Sequence, residues 1–304
     1  MRRAREIGVT LLYSCSAAVT LLLAYSQWIR HATPEGKTAI AFLAAYVGIL
    51  FAVLIWREFV YSRKARYAEV LNSMNDSFMK LQELAVDGNA SAAQIKETSA
   101  KVLTNLATAF STITSTTCSA CIKLLEGDPA AGQSEDVRVK VRTLCRSNNA
   151  EKRRARADSK KFKHWLDQNT DFFELHRRAG TPQEDCFFSN NLPRYPGYMN
   201  TSFEVYGGEG HKPPPPSLLL SWLGLRPWVL PYKSAIVVPI FPRTANETDG
   251  RLVGYLCIDS KSRGAFSRRY DPELLTGIGD CLYEVVRRYC NLVAQPAGSQ
   301  SDGI

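Results

Sequence analysis

The sequence predicts an α+β protein in which a two-helix transmembrane hairpin and a helical connector precede an antiparallel sheet flanked by helices. Three observations predict this class. Residues 7–29 and 38–56 hold no charged side chain, although charged residues make up 22% of the 304. At about 1.5 Å per residue, each run is long enough to cross roughly 30 Å of hydrocarbon as a helix. Apolar residues then recur at heptad spacing over 60–85, the period of a packed helix. From Thr116 onward, short alternating segments are bounded by Gly and Pro, the pattern of strands and turns. A hydrophobic fraction of 45% excludes a disordered chain and a small disulfide-held scaffold.

The hairpin occupies residues 1–56. Arg2, Arg3 and Arg5 precede the first run, and Arg57, Arg63, Lys64 and Arg66 follow the second. By the positive-inside bias both flanks are cytoplasmic, so the expectation is a multi-pass protein of the inner (plasma) membrane with both termini in the cytoplasm. Cleavage after Ala24-Tyr25-Ser26 is the competing reading of the first run, and it leaves 57–304 in the cytoplasm as well. The spans carry no ionisable residue, which argues against a transport path. The net charge is +9, and 151–163 holds seven basic residues including Lys152, Arg156 and Lys163. Such a cluster near a membrane suits contact with anionic lipid at 152–163, at about 1 kcal/mol per basic residue, or is simply a solvated face. No aromatic interleaving accompanies it, so no nucleic acid is expected. Seven of the eight cysteines, from Cys118 onward, fall in the segment placed in the cytoplasm, where free thiols are the rule.

The connector, 57–91, carries Val60, Tyr67, Leu71, Met74, Phe78, Leu81 and Ala85 on one stripe. Such a stripe either pairs two chains as a coiled coil, making a homodimer, or lies on the domain that follows. A second helix is expected from about Ser91 to Ile113. Strands are expected at 118–125 and 137–144 about a turn at 127–132, and a helix at about 160–178. A long irregular section follows, then strands at 234–241 and 252–259 joined by 242–251. A final helix is expected at 271–292, before a polar tail at 293–304. This order suits an antiparallel sheet with helices on one face.

Three blocks carry a resemblance. They are Tyr232-Lys233-Ser234-Ala235-Ile236-Val237-Val238-Pro239-Ile240, then Leu252-Val253-Gly254-Tyr255-Leu256-Cys257-Ile258-Asp259-Ser260, and Gly264-Ala265-Phe266-Ser267 before the closing helix. In order and spacing they resemble the second half of a GAF domain, here over about 92–292, and the stretches 169–172 and 187–190 resemble a membrane-attached bacterial subset of that family. The resemblance implies a mostly antiparallel sheet with a small-molecule pocket between one face and the middle section, 169–233. GAF domains bind cyclic nucleotides, tetrapyrroles, metabolites or haem, and some bind nothing. Candidate pocket and lid residues are Asn169, Asp171, Phe187, Phe188, Asn190, Tyr198, Asn200, Trp228, Tyr232 and Tyr255, with Asn191 and Tyr206 beside them. Aromatic faces mixed with amides suit a polar planar ligand. The same residues also suit the tying down of a long loop. His211-Lys212 followed by four prolines reads as a stiff spacer.

Catalytic and metal chemistry finds little footing. Cys118-x-x-Cys121 has no second compact ligand pair, as structural zinc would require, and on a strand the two side chains point to opposite faces. One GAF-like enzyme family reduces free methionine sulfoxide, but the approach to the 234 strand, Trp228-Val229-Leu230-Pro231, has no cysteine, and Cys186 lies well upstream. No catalytic residue, metal ligand or particular cofactor is assigned, and the chain is not expected to be an enzyme. The expectation is a membrane-anchored cytoplasmic sensor that passes binding of a small molecule to the hairpin or to a partner. The rivals are a ligand-triggered membrane-disrupting effector of a defence-type system and a thiol-dependent GAF-fold reductase.

Overall fold

A computed structural model describes residues 33–87, 89–127, 139–148, 164–178, 186–216, 227–242 and 252–294. The chain divides into two units, Met1–Ala65 and Arg66–Ile304. The expected first span, the 127–132 turn beyond Gly127, the 152–163 basic cluster, most of the 242–251 connection and the tail beyond Ala294 lie outside the described residues.

Helix α1 (Pro34–Val86) runs through the division between the units. Within the first unit its described apolar side chains are exposed, among them Phe42, Tyr46, Ile49, Val53 and Leu54. Judged on the described residues, however, no helix is long and apolar enough to cross a membrane. The expected transmembrane hairpin therefore has no structural support.

The second unit is built on a five-stranded sheet, order β2-β1-β5-β4-β3, comprising β1 (Cys118–Glu126), β2 (Lys140–Arg146), β3 (Phe187–Ser189), β4 (Ser234–Ile240) and β5 (Gly254–Ser260). Every ladder is antiparallel, as the resemblance implies. β1 and β5 lie at the centre and are buried on both faces. The close approach of these strands explains Gly254: a Cβ there would stand 2.1 Å from the Lys123 carbonyl oxygen.

One sheet face packs on helices α1, α2 (Ala92–Thr114) and α5 (Asp271–Ala294). α2 begins as expected at a capping box, in which Ser91 Oγ accepts from Gln94 N and the Gln94 side chain accepts from Ser91 N, satisfying two otherwise orphaned donors. Its stripe Ile95, Val102, Leu106, Phe110 and Ile113 is buried.

The heptad stripe of α1 goes to the same core. Val70, Met74 and Leu81 are buried, Tyr67, Phe78, Leu84 and Ala85 pack against them, and Leu71 stands 52% exposed. Of the stripe expected either to pair two chains or to lie on the domain that follows, Tyr67, Met74, Phe78, Leu81 and Ala85 thus pack on their own domain, Leu71 does not, and the side chain of Val60 lies outside the described residues. Polar contacts fix the arrangement. Tyr67 OH donates to Asp271 Oδ1, and the Arg288 guanidinium donates to the Leu84 and Ala85 carbonyls, which the end of α1 leaves without helical partners.

The opposite sheet face carries a second, aromatic-rich core and the middle section of the chain. Here the expected helix over 160–178 begins later. His164 and Trp165 are extended and pair with β2, with Val141 N donating to His164 O and Leu166 N to Val139 O. A 3-10 turn (Leu166–Gln168) follows, then α3 (Thr170–Arg178). The short strand β3 and the single-turn α4 (Phe203–Tyr206) were expected only as irregular chain.

Candidate functional site

Strand alternation places a row of side chains on the aromatic-rich face, because residues two apart on a strand share a side. Cys121 and Lys123 on β1, Cys257 and Asp259 on β5, and Ala235 and Val237 on β4 form the floor of a cleft, with Arg146 at the end of β2. The registers Cys121↔Cys257, Val237↔Cys257 and Ala235↔Asp259 align the three strands. His164, Asn169, Asp171, Phe172, Asn200, Ser202, Tyr206 and Tyr232 close it from above, and its volume is about 50 Å³. A single water needs roughly 10–15 Å³ on this scale, so the cleft suits a molecule of a few heavy atoms.

Its polar roof is tightly tied. Asn169 donates through Nδ2 to Trp165 O, and its Oδ1 accepts from Thr201 N and Thr201 Oγ1. Since the Thr201 hydroxyl gives its proton to Asn169, the His164 Nδ1 in contact with it is the donor of that pair. Asn200 Nδ2 donates to Tyr198 OH, which donates to Asp171 Oδ2, while Asp171 Oδ1 accepts from Phe172 N. Thr170 Oγ1 accepts from Met199 N, joining the start of α3 to the next segment.

The charges here are buried. Lys123 is 7% exposed, with Nζ donating to Thr143 Oγ1, and Asp171 is 5% exposed. Burial pushes the Asp171 carboxyl up to about 7, against the pull of the Phe172 N–H and of Lys123. Burial also raises Tyr198 well above the ordinary phenol value, with the charge of Asp171 adding to it. Tyr255 moves the same way for the same two reasons. Among the described residues no three His, Cys, Asp or Glu side chains converge as metal ligands.

Of the ten residues singled out in the sequence, Asn169, Asp171, Asn200 and Tyr232 lie on the cleft. The others stand elsewhere. Phe187, Tyr198 and Trp228 belong to an aromatic cluster with Tyr195 and Phe203, and the Trp228 indole N–H donates to Tyr232 O. Tyr255 is fully buried beneath the cleft, ring to ring with Phe172 and donating to Phe172 O. Phe188 packs against the other core. The Asn190 amide donates to Phe266 O and accepts from Phe266 N, fastening β3 to the loop before α5. Cys186 also packs on the far side of the sheet, away from the cleft.

Sequence reasoning missed the floor: Cys121, Lys123, Arg146, Cys257 and Asp259, together with His164. The signal was present in polar residues at alternate positions of two otherwise apolar strands, Cys121 with Lys123 and Cys257 with Asp259. Cys118 and Cys121 do face opposite ways, into the helix-covered core and the cleft-side core respectively.

No protein-family model matches the sequence, and no curated protein matches it. Among solved structures, the chain is similar to the GAF domain of a phosphoenolpyruvate-protein phosphotransferase from Acinetobacter. The identity is 11%, covering 74% of this chain and 98% of that one, with a TM-score of 0.41. The type II free methionine-R-sulfoxide reductase of Thermoplasma acidophilum is 15% identical over 64% of this chain and 96% of its own, with a TM-score of 0.38. The free methionine-R-sulfoxide reductase of Neisseria meningitidis in complex with its substrate is 13% identical over 68% and 92%, with a TM-score of 0.33.

Proposed function

We propose that the chain is a membrane-anchored sensor whose GAF-like domain takes a small polar molecule in the cleft between the sheet and the tied middle section. The observation that carries this reading is a cleft of about 50 Å³ into which Lys123 and Asp171, both nearly fully buried, are turned. Burying ionisable groups costs free energy unless partners meet them. Thr143 meets Lys123, and Phe172 N and the Tyr198 hydroxyl meet Asp171; a ligand that adds an acceptor beside Lys123 and a donor beside Asp171 extends this network, so the cleft selects small solutes with both kinds of group.

The route outward runs through the sheet. β1, β4 and β5 carry the floor on one face and α2 and α5 on the other, and α5 holds the end of α1 through Arg288. A shift of the central strands on ligand closure therefore reaches α1, whose earlier part carries the charge-free run 38–56. Anchoring rests on that run and on 7–29, the basic flanks and the exposed apolar side chains of α1.

The test is a thermal-shift screen of the detergent-extracted full chain against amino acids, small carboxylates, nucleobases and cyclic nucleotides. A ligand at 100 times its Kd adds about 2.7 kcal/mol of stability, a readily measured shift. We expect a stabiliser among the small zwitterionic or amide-bearing solutes, with the shift lost in Lys123→Met and Asp171→Asn. A screen without a stabiliser, or one whose stabiliser acts equally on both variants, overturns the reading.

A further inference from the structure

Two thiols meet on the floor of the cleft, and the ligand reading makes no use of them. Cys121 of β1 and Cys257 of β5 are directly opposite in the antiparallel ladder, both are buried, and both line the cleft. Four residues away in either direction, Leu125 N donates to Val253 O and Lys261 N to Thr117 O. Hydrogen-bonded pairs alternate along such a ladder, so Cys121 and Cys257 form one, with a Cα separation of about 5.5 Å. A disulfide spans roughly 4.4–6.8 Å between Cα atoms and about 3.5–4.5 Å between Cβ atoms, whereas the Cβ atoms of a hydrogen-bonded pair stand at up to about 5.5 Å, so closing the bond draws β1 and β5 together at this rung. The other thiols of this sheet, Cys118 and Cys145, belong to the opposite core.

We infer that Cys121 and Cys257 form a two-thiol centre that reacts with small hydroperoxides entering the cleft and closes into a reversible cross-strand disulfide. In the first step the Cys121 thiolate attacks one peroxide oxygen. The O–O bond breaks, the other oxygen leaves as hydroxide or alkoxide and takes up the proton that the Cys121 thiol released on ionising, giving water or a small alcohol, and Cys121 becomes a sulfenic acid. In the second, the Cys257 sulfur attacks the Cys121 sulfur, the S–O bond breaks, and the hydroxide takes the Cys257 proton to leave as water. Two thiols are oxidised by two electrons and one peroxide is reduced.

The surroundings sort the two roles. The hydrogen bond from Cys257 pulls the Cys121 thiol below its usual range, against its burial and with help from Arg146 and Lys123. Burial, and then Cys121 itself, push Cys257 the other way. Cys121 is paired with Arg146 across the β1–β2 ladder, and Lys123 stands two residues along its own strand, so the sulfur beside the cations is assigned as the nucleophile and Cys257 as its resolving partner. The narrow cleft favours hydrogen peroxide and the shortest alkyl hydroperoxides as oxidants.

The test treats the full reduced chain with stoichiometric hydrogen peroxide, alkylates it and maps the peptides by mass spectrometry. We expect a disulfide joining the Cys121 and Cys257 peptides, reversed by dithiothreitol, while exposed Cys281 stays alkylated. Cys257→Ser should hold a sulfenic acid on Cys121 that dimedone traps, and Cys121→Ser should slow oxidation of Cys257 roughly tenfold or more. Oxidation first at Cys281 or Cys186 overturns the inference, as does an unchanged rate in Cys121→Ser. The wild-type map needs no variant to fold, and Cys121→Ala offers a second route if serine disturbs the core. The inference rests on the openness of the cleft rather than on its ligand. A chain that cross-links but binds no metabolite keeps it, and one that binds without cross-linking loses it alone.

Discussion

Asp171 concentrates the electrostatics of the site in one side chain. Its carboxyl is pushed from the ordinary 3.8 up to about 7 by burial, so between those values the folded chain holds a proton that the unfolded chain releases. Stability from this group is therefore complete below the ordinary value and is lost as pH rises through about 7. Asp171→Asn keeps an acceptor for Phe172 N and removes the charge. Its unfolding free energy, from urea melts, should gain on wild type by an amount on the order of a few kcal/mol between pH 5 and pH 8. An equal difference at both pH values would show that the group does not titrate in this range. Asn190 presents the opposite case, an amide whose donor and acceptor are both taken up by Phe266. Asn190→Ala should lower stability by about 1–3 kcal/mol and leave ligand shifts unchanged, with thermal-shift titration as the check. In sequence these two residues carry the same signal, a polar side chain near aromatics. Only the fold shows that one faces the cleft and the other faces a backbone.

The elements legible in the sequence were those whose periodicity comes from their own burial. α2 with its capping box, the strand pair β4 and β5, and α5 all fall within a few residues of expectation, because each keeps one apolar face against the core. β3 is three residues long and is held by pairing to β4, so it leaves almost no local period to read. The late start of α3 follows from the pairing of Trp165 with Lys140 on β2, a contact between distant residues that helical spacing does not reveal. The stripe of α1 was legible as a stripe but not in its partner, since a heptad seam and a face packed on one's own domain look alike. Substitution separates them. Leu81 is 1% exposed and Leu71 52%, so Leu81→Ala should cost roughly 2–5 kcal/mol and Leu71→Ala about 0.5 kcal/mol or less. A seam between chains would make both costly and the cost dependent on concentration. β5 carries a comparable sensitivity at Gly254, where an added Cβ meets the β1 backbone. Gly254→Ala should lose roughly 1–3 kcal/mol or more in the same denaturation assay.

For the whole molecule, a sensor of this kind needs α1 (Pro34–Val86) to carry a change in the cleft to a bilayer, and the bilayer is tested by fractionation. The charge-free runs 7–29 and 38–56 with their basic flanks argue for integration with both ends inside. Phe42, Tyr46, Ile49, Val53 and Leu54 of α1 are exposed among the described residues. The chain should therefore sediment with membranes, stay there through alkaline carbonate and leave only in detergent. On the proposed topology, with the basic flanks inside, protease added to intact cells should spare 66–304, while the same protease on inverted vesicles should digest it. Recovery of the full chain in the aqueous fraction would detach the cleft from any membrane output, and the α1 contacts with α5 would then serve only to close the domain's core. Digestion from outside would invert the topology and move both cleft thiols into an oxidising compartment, where a Cys121–Cys257 disulfide would be a permanent brace rather than a reversible one.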